Sequence, residues 1–248
     1  MELVERTLKV LLALSGAENG LSVSELSLQL ELPPSSTHRI LATLKKNGFA
    51  LQDETTKRYR IGYRVLTLCQ NIKQNNSLIA TSHPFMKKLS EQLNKTVTLC
   101  VMEGDQIVCI DYIENKDTSM FYVRTGFAMP PYATSAGKVI QAYMNRKKVE
   151  KLACTQEMEP ITPYTKTDFF SFLAELETIR KQGYAICDEE LQLGIQGVAC
   201  PVFDCKGEVV ASVSFNTLKS EFSLTKEAIE KLKNCALAIS RNLGYQIL

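Results

Sequence analysis

The chain has only two histidines, His38 and His83, and none of its eight cysteines stands in a CxxC pair. Zinc sites use closely spaced soft ligands, so this spacing calls for no structural metal, and neither a metal nor an organic cofactor is expected. A nucleophilic cysteine generally wants a histidine base. The one histidine in the back two-thirds, His83, has no evident partner, which argues against a cysteine-dependent enzyme. Long apolar runs are also missing. No stretch approaches the roughly 18 residues that a membrane-crossing helix needs, and the opening MELVERTLKV carries neither a basic leader nor a small-residue cleavage site. A cytoplasmic protein without membrane contact is expected, and there most cysteines serve as small buried hydrophobes. No internal repeat or low-complexity segment interrupts the chain. A P-loop is excluded as well. No glycine stands five positions before Gly137, and Val139 replaces the hydroxyl residue that would hold magnesium.

What is present is enough for a real core: 248 residues, 45% of them apolar, make one large domain or two ordinary ones. The net charge of +2 says little, but its distribution says more. Residues 1–77 hold ten Lys and Arg against seven Asp and Glu, and residues 78–248 hold nineteen against twenty. Within the front part, residues 35–64 carry Arg39, Lys45, Lys46, Lys57, Arg58, Arg60 and Arg64 against only Asp53 and Glu54. A local excess of that size suits a nucleic-acid-binding surface.

Val4, Leu8, Leu11, Leu12 and Leu14 recur at helical spacing and predict a first helix, which Gly16, Asn19 and Gly20 stop. Ser22 with Glu25 three residues later reads as a capping box opening a short second helix. The stretch LPPSSTHRILATLKKNGFA then predicts a third. Its prolines are tolerated where N–H groups lack partners anyway, Ile40, Leu41, Leu44 and Phe49 point inward, and Gly48 ends it. Residues 49–52 and 57–61 read as two strands around the polar tip Asp53–Thr56. Three helices and a basic ribbon describe a winged helix-turn-helix. A recognition helix enters the major groove through its first turn, where short side chains approach base edges closely. The candidate DNA contacts are therefore Ser35, Ser36, Thr37 and Arg39 on the helix, with Lys57, Arg58 and Arg60 on the ribbon. The plainer alternative is that the hydroxyls cap a helix and the cations solvate a surface. His38 either touches DNA or packs against the second helix.

Residues 64–76 continue as a polar-studded helix between the halves, and LIATSHPFMKKLSEQLNK is an amphipathic helix burying Ile79, Phe85, Met86, Leu89 and Leu93. TVTLCVM, QIVCIDYI, MFYVRTG, YAIC, GVACPVF and EVVASVSFN read as strands, and Ser223 as the cap of a last helix. A two-residue loop at Gly104-Asp105 sets Cys100 opposite Cys109, where buried thiols are favoured over a redox pair. Hairpin strands flanked by helices argue for an α+β domain with an antiparallel sheet. Within it, Ala133–Lys138 is a run of small residues opening a helix, a place where backbone N–H groups can hold a carboxylate or simply be capped.

VERTLKVLLAL, LSVSELSLQLELPPSSTHRILATLKKNGFALQ, YRIGYRVLTL, HPFMKKLSEQLNKTVTLCV, AMPPYATSAGK and RKQGYAICDEELQLGIQGVACPVFD follow one another in this order. With EVVASVSFN, they resemble the IclR family of bacterial transcriptional regulators over nearly the full length. The resemblance implies a winged helix-turn-helix (residues 1–63), a linker helix (64–77) and a GAF-like antiparallel-sheet effector domain (78–248). It further implies double-stranded operator DNA and a small-molecule effector, often an organic acid or an aromatic compound, as partners of a homodimer or tetramer. Residue by residue, Ser135, Ala136 and Gly137 fall where the family contacts the effector carboxylate, and Ser214 and Asn216 at polar pocket positions. Cys187 and Asp188 fall where paired aspartates often stand. Phe121, Met129 and Ile195 occupy wall positions. Cys187, Gly197 and Asn216 depart from the usual lining, so effector identity does not carry over. Pro34 stands where relatives often place a polar or basic residue. The expectation is a repressor or activator whose operator binding is set by a small acid. The alternatives are a protein-docking winged helix coupled to a sensor and, further off, the cysteine enzyme.

Overall fold

The computed structural model describes residues 2–75, 77–115, 123–155, 158–220 and 223–246, which fall into two compact units, 1–76 and 77–248. In the first unit, α1 (Glu2–Ser15), α2 (Val23–Gln29) and α3 (Pro34–Lys46) precede a ribbon of β1 (Ala50–Gln52) and β2 (Tyr59–Ile61), and α4 (Val65–Asn75) follows. The capping box forms as its sequence predicts: Glu25 N donates to Ser22 Oγ at 3.2 Å, and Ser22 N donates to Glu25 Oε2 at 2.7 Å. Val10, Leu14, Leu26, Ile40, Leu41, Leu44, Ala50 and Tyr59 form the small core, while Phe49 is half-buried at its edge. The strands pair antiparallel from Ala50↔Ile61 to Gln52↔Tyr59. Tyr59 also exchanges both backbone hydrogen bonds with Leu21, which ties the wing to the α1–α2 loop. At the wing tip, Asp53 Oδ1 accepts from the Thr55 and Thr56 amides, and these local bonds leave the strands shorter than the apolar pattern alone suggests.

The second unit is a three-layer α+β arrangement. Its six-stranded antiparallel sheet has the order β5-β4-β3-β8-β7-β6, built from β3 (Val97–Glu103), β4 (Gln106–Ile113), β5 (Ala128–Met129), β6 (Ala185–Asp188), β7 (Ile195–Phe203) and β8 (Val209–Leu218). One face packs on α5 (Ser77–Leu93) and α9 (Lys226–Asn242) through Val97, Leu99, Val198, Cys200, Val213 and Phe215. The other packs on α6 (Ser135–Tyr143) and α8 (Phe169–Gln182), and α7 (Arg146–Thr155) lies between those two in sequence. With both faces covered, these strands read as nearly continuous apolar runs. The buried hydroxyls of Thr98, Ser212 and Ser214 stand out, all on the α6 side.

The hairpin turns at Gly104, with φ of +61°, and Cys100 pairs with Cys109 in the expected register, both thiols free and buried. Two expectations need correction. Of MFYVRTG, expected as the third strand, residues 120–122 lie outside the described residues; the described part, Val123–Gly126, is not strand but turns through left-handed Gly126, and the strand that pairs with Val108 and Ile107 is Ala128–Met129. The last helix is capped by Thr225, not Ser223, because the helix begins at Lys226 and the adjacent hydroxyl accepts from Ala228 N at 3.2 Å. Among the described residues, no helix is long and apolar enough to cross a membrane.

Candidate functional site: a recognition helix and an uncharged cavity

Pro33 and Pro34 open α3, and no side chain caps it, so the hydroxyls that follow are not caps. Ser35, His38 and Arg39 are exposed and Ser36 is half-buried. None of their side chains has a hydrogen-bond or ionic partner among the described residues. His38 therefore lies on the outer face rather than against α2. Thr37 is the correction on this helix. It is fully buried, its hydroxyl accepts from Ser27 Oγ at 3.1 Å and donates to Pro33 O at 3.2 Å, and it joins α2 to α3 instead of facing out. Positions 37, 40, 41 and 44 share one helical face, so the threonine belongs with Ile40, Leu41 and Leu44.

On the wing, Tyr59 turns inward, Arg60 turns outward, and Lys57 is exposed. Arg58 is a second correction. Its Nη2 pairs with Glu25 Oε1 at 2.8 Å, and its Nε donates to Asn19 O and Gly20 O at 3.2 Å, fastening the wing to the capped start of α2. Hydrogen bonds from the Ser22 backbone and hydroxyl, then from Arg58, pull the Glu25 carboxyl down to about 2.

The second unit holds a cavity between the sheet and the start of α6. Thr98, Cys100 and Ser214 form part of its floor, Ser135, Ala136 and Thr134 one wall, and Val123, Met129, Leu191, Gln192 and Ile195 the rest. Thr98 and Ser214 exchange a hydroxyl hydrogen bond of 2.6 Å. No charged side chain lines the cavity among the described residues. The Thr134 side chain caps α6 by accepting from Gly137 N at 3.0 Å, and Lys138 N donates to Thr134 O. The N–H groups of Ser135 and Ala136 keep no partner among the described residues. The cavity is tight, about 30 Å³, on a scale where one water needs roughly 10–15 Å³. It adjoins a larger apolar groove of about 290 Å³ bounded by Phe127, Ala128 and Pro130. Such a site presents backbone amides and the positive end of a helix, with no charged side chain among the described residues.

Residues 3–54 match the model of the IclR helix-turn-helix domain, and residues 70–241 match that of the bacterial transcriptional regulator IclR C-terminal domain. The chain belongs to the IclR family of bacterial transcriptional regulators. It is 32% identical to the HTH-type transcriptional regulator KdgR of Escherichia coli K12, over 98% of this chain and 94% of that one. The crystal structure of the Thermotoga maritima IclR superposes with a TM-score of 0.79 at 30% identity, covering 99% of this chain and all of that one. An IclR homologue from Microbacterium hydrocarbonoxydans, crystallised with 4-hydroxybenzoate, shares the fold at a TM-score of 0.80 and 19% identity, covering 97% of this chain and 98% of that one. The chain is thus a helix-turn-helix DNA-binding regulator with an effector-binding domain, and not an enzyme.

The IclR-type cavity gathers most of the residues expected to line it. Ser135, Ala136, Met129, Cys187, Ile195, Gly197, Ser214 and Asn216 all do so. Gly137 does not: it is pressed on the Pro131 backbone, where a Cβ would collide, and it lets the first turn of α6 seat on the 3-10 turn Pro131–Ala133. Asp188 does not either. Strand alternation sends Cys187 into the cavity and Asp188 to the other side, where its carboxylate pairs with Lys219 Nζ at 3.0 Å. Phe121 lies outside the described residues. Cys187 donates through Sγ to Ala133 O at 3.1 Å, and burial holds its thiol above the ordinary range. The cavity-lining Cys100 is pushed well up too, first by the neighbouring Cys109 sulfur and then by burial.

Sequence reasoning missed Thr98, Cys100, Val123, Thr134, Leu191 and Gln192 as lining residues. Thr98 could have been found: it is a polar residue on a strand whose neighbours are all apolar. Leu191 and Gln192 sit on an irregular loop with no periodicity to read. Behind the cavity, the fully buried Lys138 reaches Glu190 Oε1, Glu175 Oε1 at 3.0 Å and Ile186 O at 3.4 Å, and Lys166 also pairs with Glu175. The Lys138 ammonium is neutralised there by two carboxylates and does not face the ligand space.

Proposed function

We propose that this regulator reads a pseudo-palindromic operator as a homodimer or tetramer, and that a short organic acid in the α6 cavity sets its operator affinity. The observation that carries the ligand side is that Ser135 and Ala136, whose N–H groups have no partner among the described residues, line a tight space without charged side chains. A carboxylate satisfies those donors and the helix dipole together. The 4-hydroxybenzoate bound by the Microbacterium homologue supports an acid as the ligand class. On the DNA side, Ser35, Ser36 and Arg39 would meet base edges and phosphates, with Lys57 and Arg60 on the backbone. Self-association is supported by α1, where Val4, Leu8 and Leu12 stay 64%, 55% and 72% exposed along one helical stripe. Two joined reading heads raise effective concentration, whereas one makes few phosphate contacts.

The decisive experiment is fluorescence anisotropy of the full-length protein on the DNA upstream of its own and neighbouring genes, with random duplex as competitor. The expected result is a salt-dependent preference for one upstream segment, changed by a small acid that also raises the thermal midpoint. Equal affinity for all duplexes at low salt would sink the proposal.

A further inference from the structure

Ser212 on β8, Cys100 on β3 and Cys109 on β4 form one row across the sheet, on the face that meets α6. Both thiols are buried, and of the two only Cys100 lines the cavity among the described residues. The backbone of Cys109 directs both its groups to the outer side: its N–H donates to Phe127 O at 3.0 Å, and its carbonyl accepts from Gly126 N at 2.7 Å. Cys100 and Cys109 are therefore a non-hydrogen-bonded pair, the kind whose α-carbons stand about 4.5 Å apart. A disulfide bridges α-carbons about 4.4–6.8 Å apart. The ladder also slips at this pair, between Leu99 and Cys100, with Ile110 as the extra residue. The two thiols are hydrogen-bonded neighbours, and Cys109 donates to Asp111 O at 3.4 Å. The Ser212 hydroxyl, fully buried across from Cys100, has no hydrogen-bond partner. Cys187, the third thiol at the cavity, stands on β6, three strands from β3, and is too distant to bridge to Cys100.

We infer that Cys100 and Cys109 are an oxidisable dithiol, and that its oxidant is a small hydroperoxide that reaches Cys100 through the α6 cavity. No part of this rests on an acid ligand. Size selects the oxidant: a cavity of about 30 Å³, on a scale where one water needs roughly 10–15 Å³, admits hydrogen peroxide but not a tripeptide disulfide. Cys100 gives up its proton, and its sulfur attacks one peroxide oxygen. The O–O bond breaks, and the departing hydroxide takes a proton and leaves as water, with a sulfenic acid remaining on Cys100. The Ser212 hydroxyl offers that oxygen a hydrogen bond from the β8 side. The Cys109 sulfur then attacks the Cys100 sulfur, the S–O bond breaks, and a second water leaves with the Cys109 proton. Two thiols have given two electrons and two protons to one peroxide, which ends as two waters. Dithiol and disulfide are both neutral, as a site without charged side chains requires. Burial and the neighbouring sulfur keep the Cys100 proton in place at neutral pH, so the reaction is slow and needs peroxide in excess.

The test is peptide mass spectrometry of the full-length reduced protein after exposure to excess hydrogen peroxide, with an acid quench, alkylation and trypsin. Both cysteines fall in one tryptic peptide, residues 96–116. In wild type that peptide should lose two hydrogen atoms and both alkylation sites, and dithiothreitol should restore them. Oxidised glutathione, which is too large for the cavity, should leave the peptide reduced while it modifies the exposed Cys69 and Cys205. Cys109→Ala should stop the loss of two hydrogens and leave added oxygen on Cys100, located by fragmentation apart from Met102. Cys100→Ala should leave Cys109 unmodified over the same time, because Cys109 does not meet the cavity. If either variant fails to fold, the wild-type comparison of peroxide with oxidised glutathione decides alone. A peptide that keeps both thiols while peroxide consumes Cys69 and Cys205 overturns the inference. So does disulfide formation by oxidised glutathione at the same rate, or oxidation of Cys109 in Cys100→Ala as fast as that of Cys100 in Cys109→Ala, since either result would remove the cavity from the route.

Discussion

The two units use their polar side chains in opposite directions. In residues 1–76, Ser35, His38, Arg39 and Lys57 point outward with no side-chain hydrogen-bond or ionic partner among the described residues, Arg60 is exposed in the field of Asp53, and the Ser27–Thr37 hydroxyl pair is the buried polar exception beside eight apolar core residues. In residues 77–248, polar groups turn inward. Thr98 bonds to Ser214, Thr162 and Thr165 donate to the carbonyls of Glu189 and Glu190, and Lys138 is closed off between Glu175 and Glu190. A surface that must meet a duplex gains from unsatisfied donors, because water holds them until phosphate or a base edge arrives. An enclosed cavity gains from holding most of its polar neighbours in hydrogen bonds, because each unpaired buried group is costly.

That contrast is broken most directly at Lys138. Replacing it with Met leaves the Glu190 carboxylate buried without its cation and should cost about 3–5 kcal/mol, read from urea or thermal unfolding of the second unit. Lys166→Met, which removes an exposed partner of Glu175, should cost no more than about 1 kcal/mol. Similar losses from both would mean that the buried cluster behaves as a surface pair and that the second unit does not turn its charges inward. Arg39 is the opposite case. Arg39→Ala should leave the unfolding midpoint in place and weaken operator binding by about 1–3 kcal/mol, since an exposed guanidinium acts only when DNA is present. Anisotropy and unfolding on the same preparation separate the two.

How legible each unit was follows from the same difference. The capping box at Ser22 and Glu25, the inward face of α3 and the Cys100–Cys109 register were readable because local chemistry and short periods determine them. Thr37 was readable too. Its place in the 37-40-41-44 pattern outranks its hydroxyl, and a reading that weighs residue type above phase sends it to the wrong side. Arg58 was not readable, because its partners Glu25, Asn19 and Gly20 lie more than thirty positions away and only the fold joins them. In the cavity, Cys187, Gly197 and Asn216 followed from family position. Asp188 and Gly137 did not, because such a correspondence names a place in the chain and not the direction a side chain takes. Leu191 and Gln192 needed the loop conformation itself.

A finer separation comes from two neighbours on α3. Thr37→Val keeps the volume but removes the acceptor of the Ser27 hydroxyl, so it should cost roughly 1–3 kcal/mol of stability, with no specific loss of DNA contact. Ser35→Ala should do the reverse, leaving stability within about 0.5 kcal/mol while lowering operator affinity. A Thr37→Val protein with wild-type stability and selectively weakened DNA binding would return Thr37 to the recognition surface.

The smallest expected effect is a pH dependence that tests whether the wing is fastened as described. Glu25 has its carboxyl lowered from an ordinary 4.5 to about 2 by Ser22 and then Arg58. A carboxyl that takes up its proton at lower pH when folded than when unfolded adds stability that is complete above 4.5 and is lost as the pH falls toward 2. Asp53 on the wing and Asp168, Glu189 and Glu227 in the second unit are lowered in the same sense, so the total curve does not isolate Glu25. The difference between wild type and Glu25→Gln does, because the amide keeps the shape of the cap but cannot titrate. The stability gap between the two should be constant at neutral pH and shrink between pH 4.5 and 2. A gap that stays constant through that window would show that Arg58 and the Ser22 amide do not hold the carboxylate, and Arg58 would then be free to join Lys57 and Arg60 on the DNA.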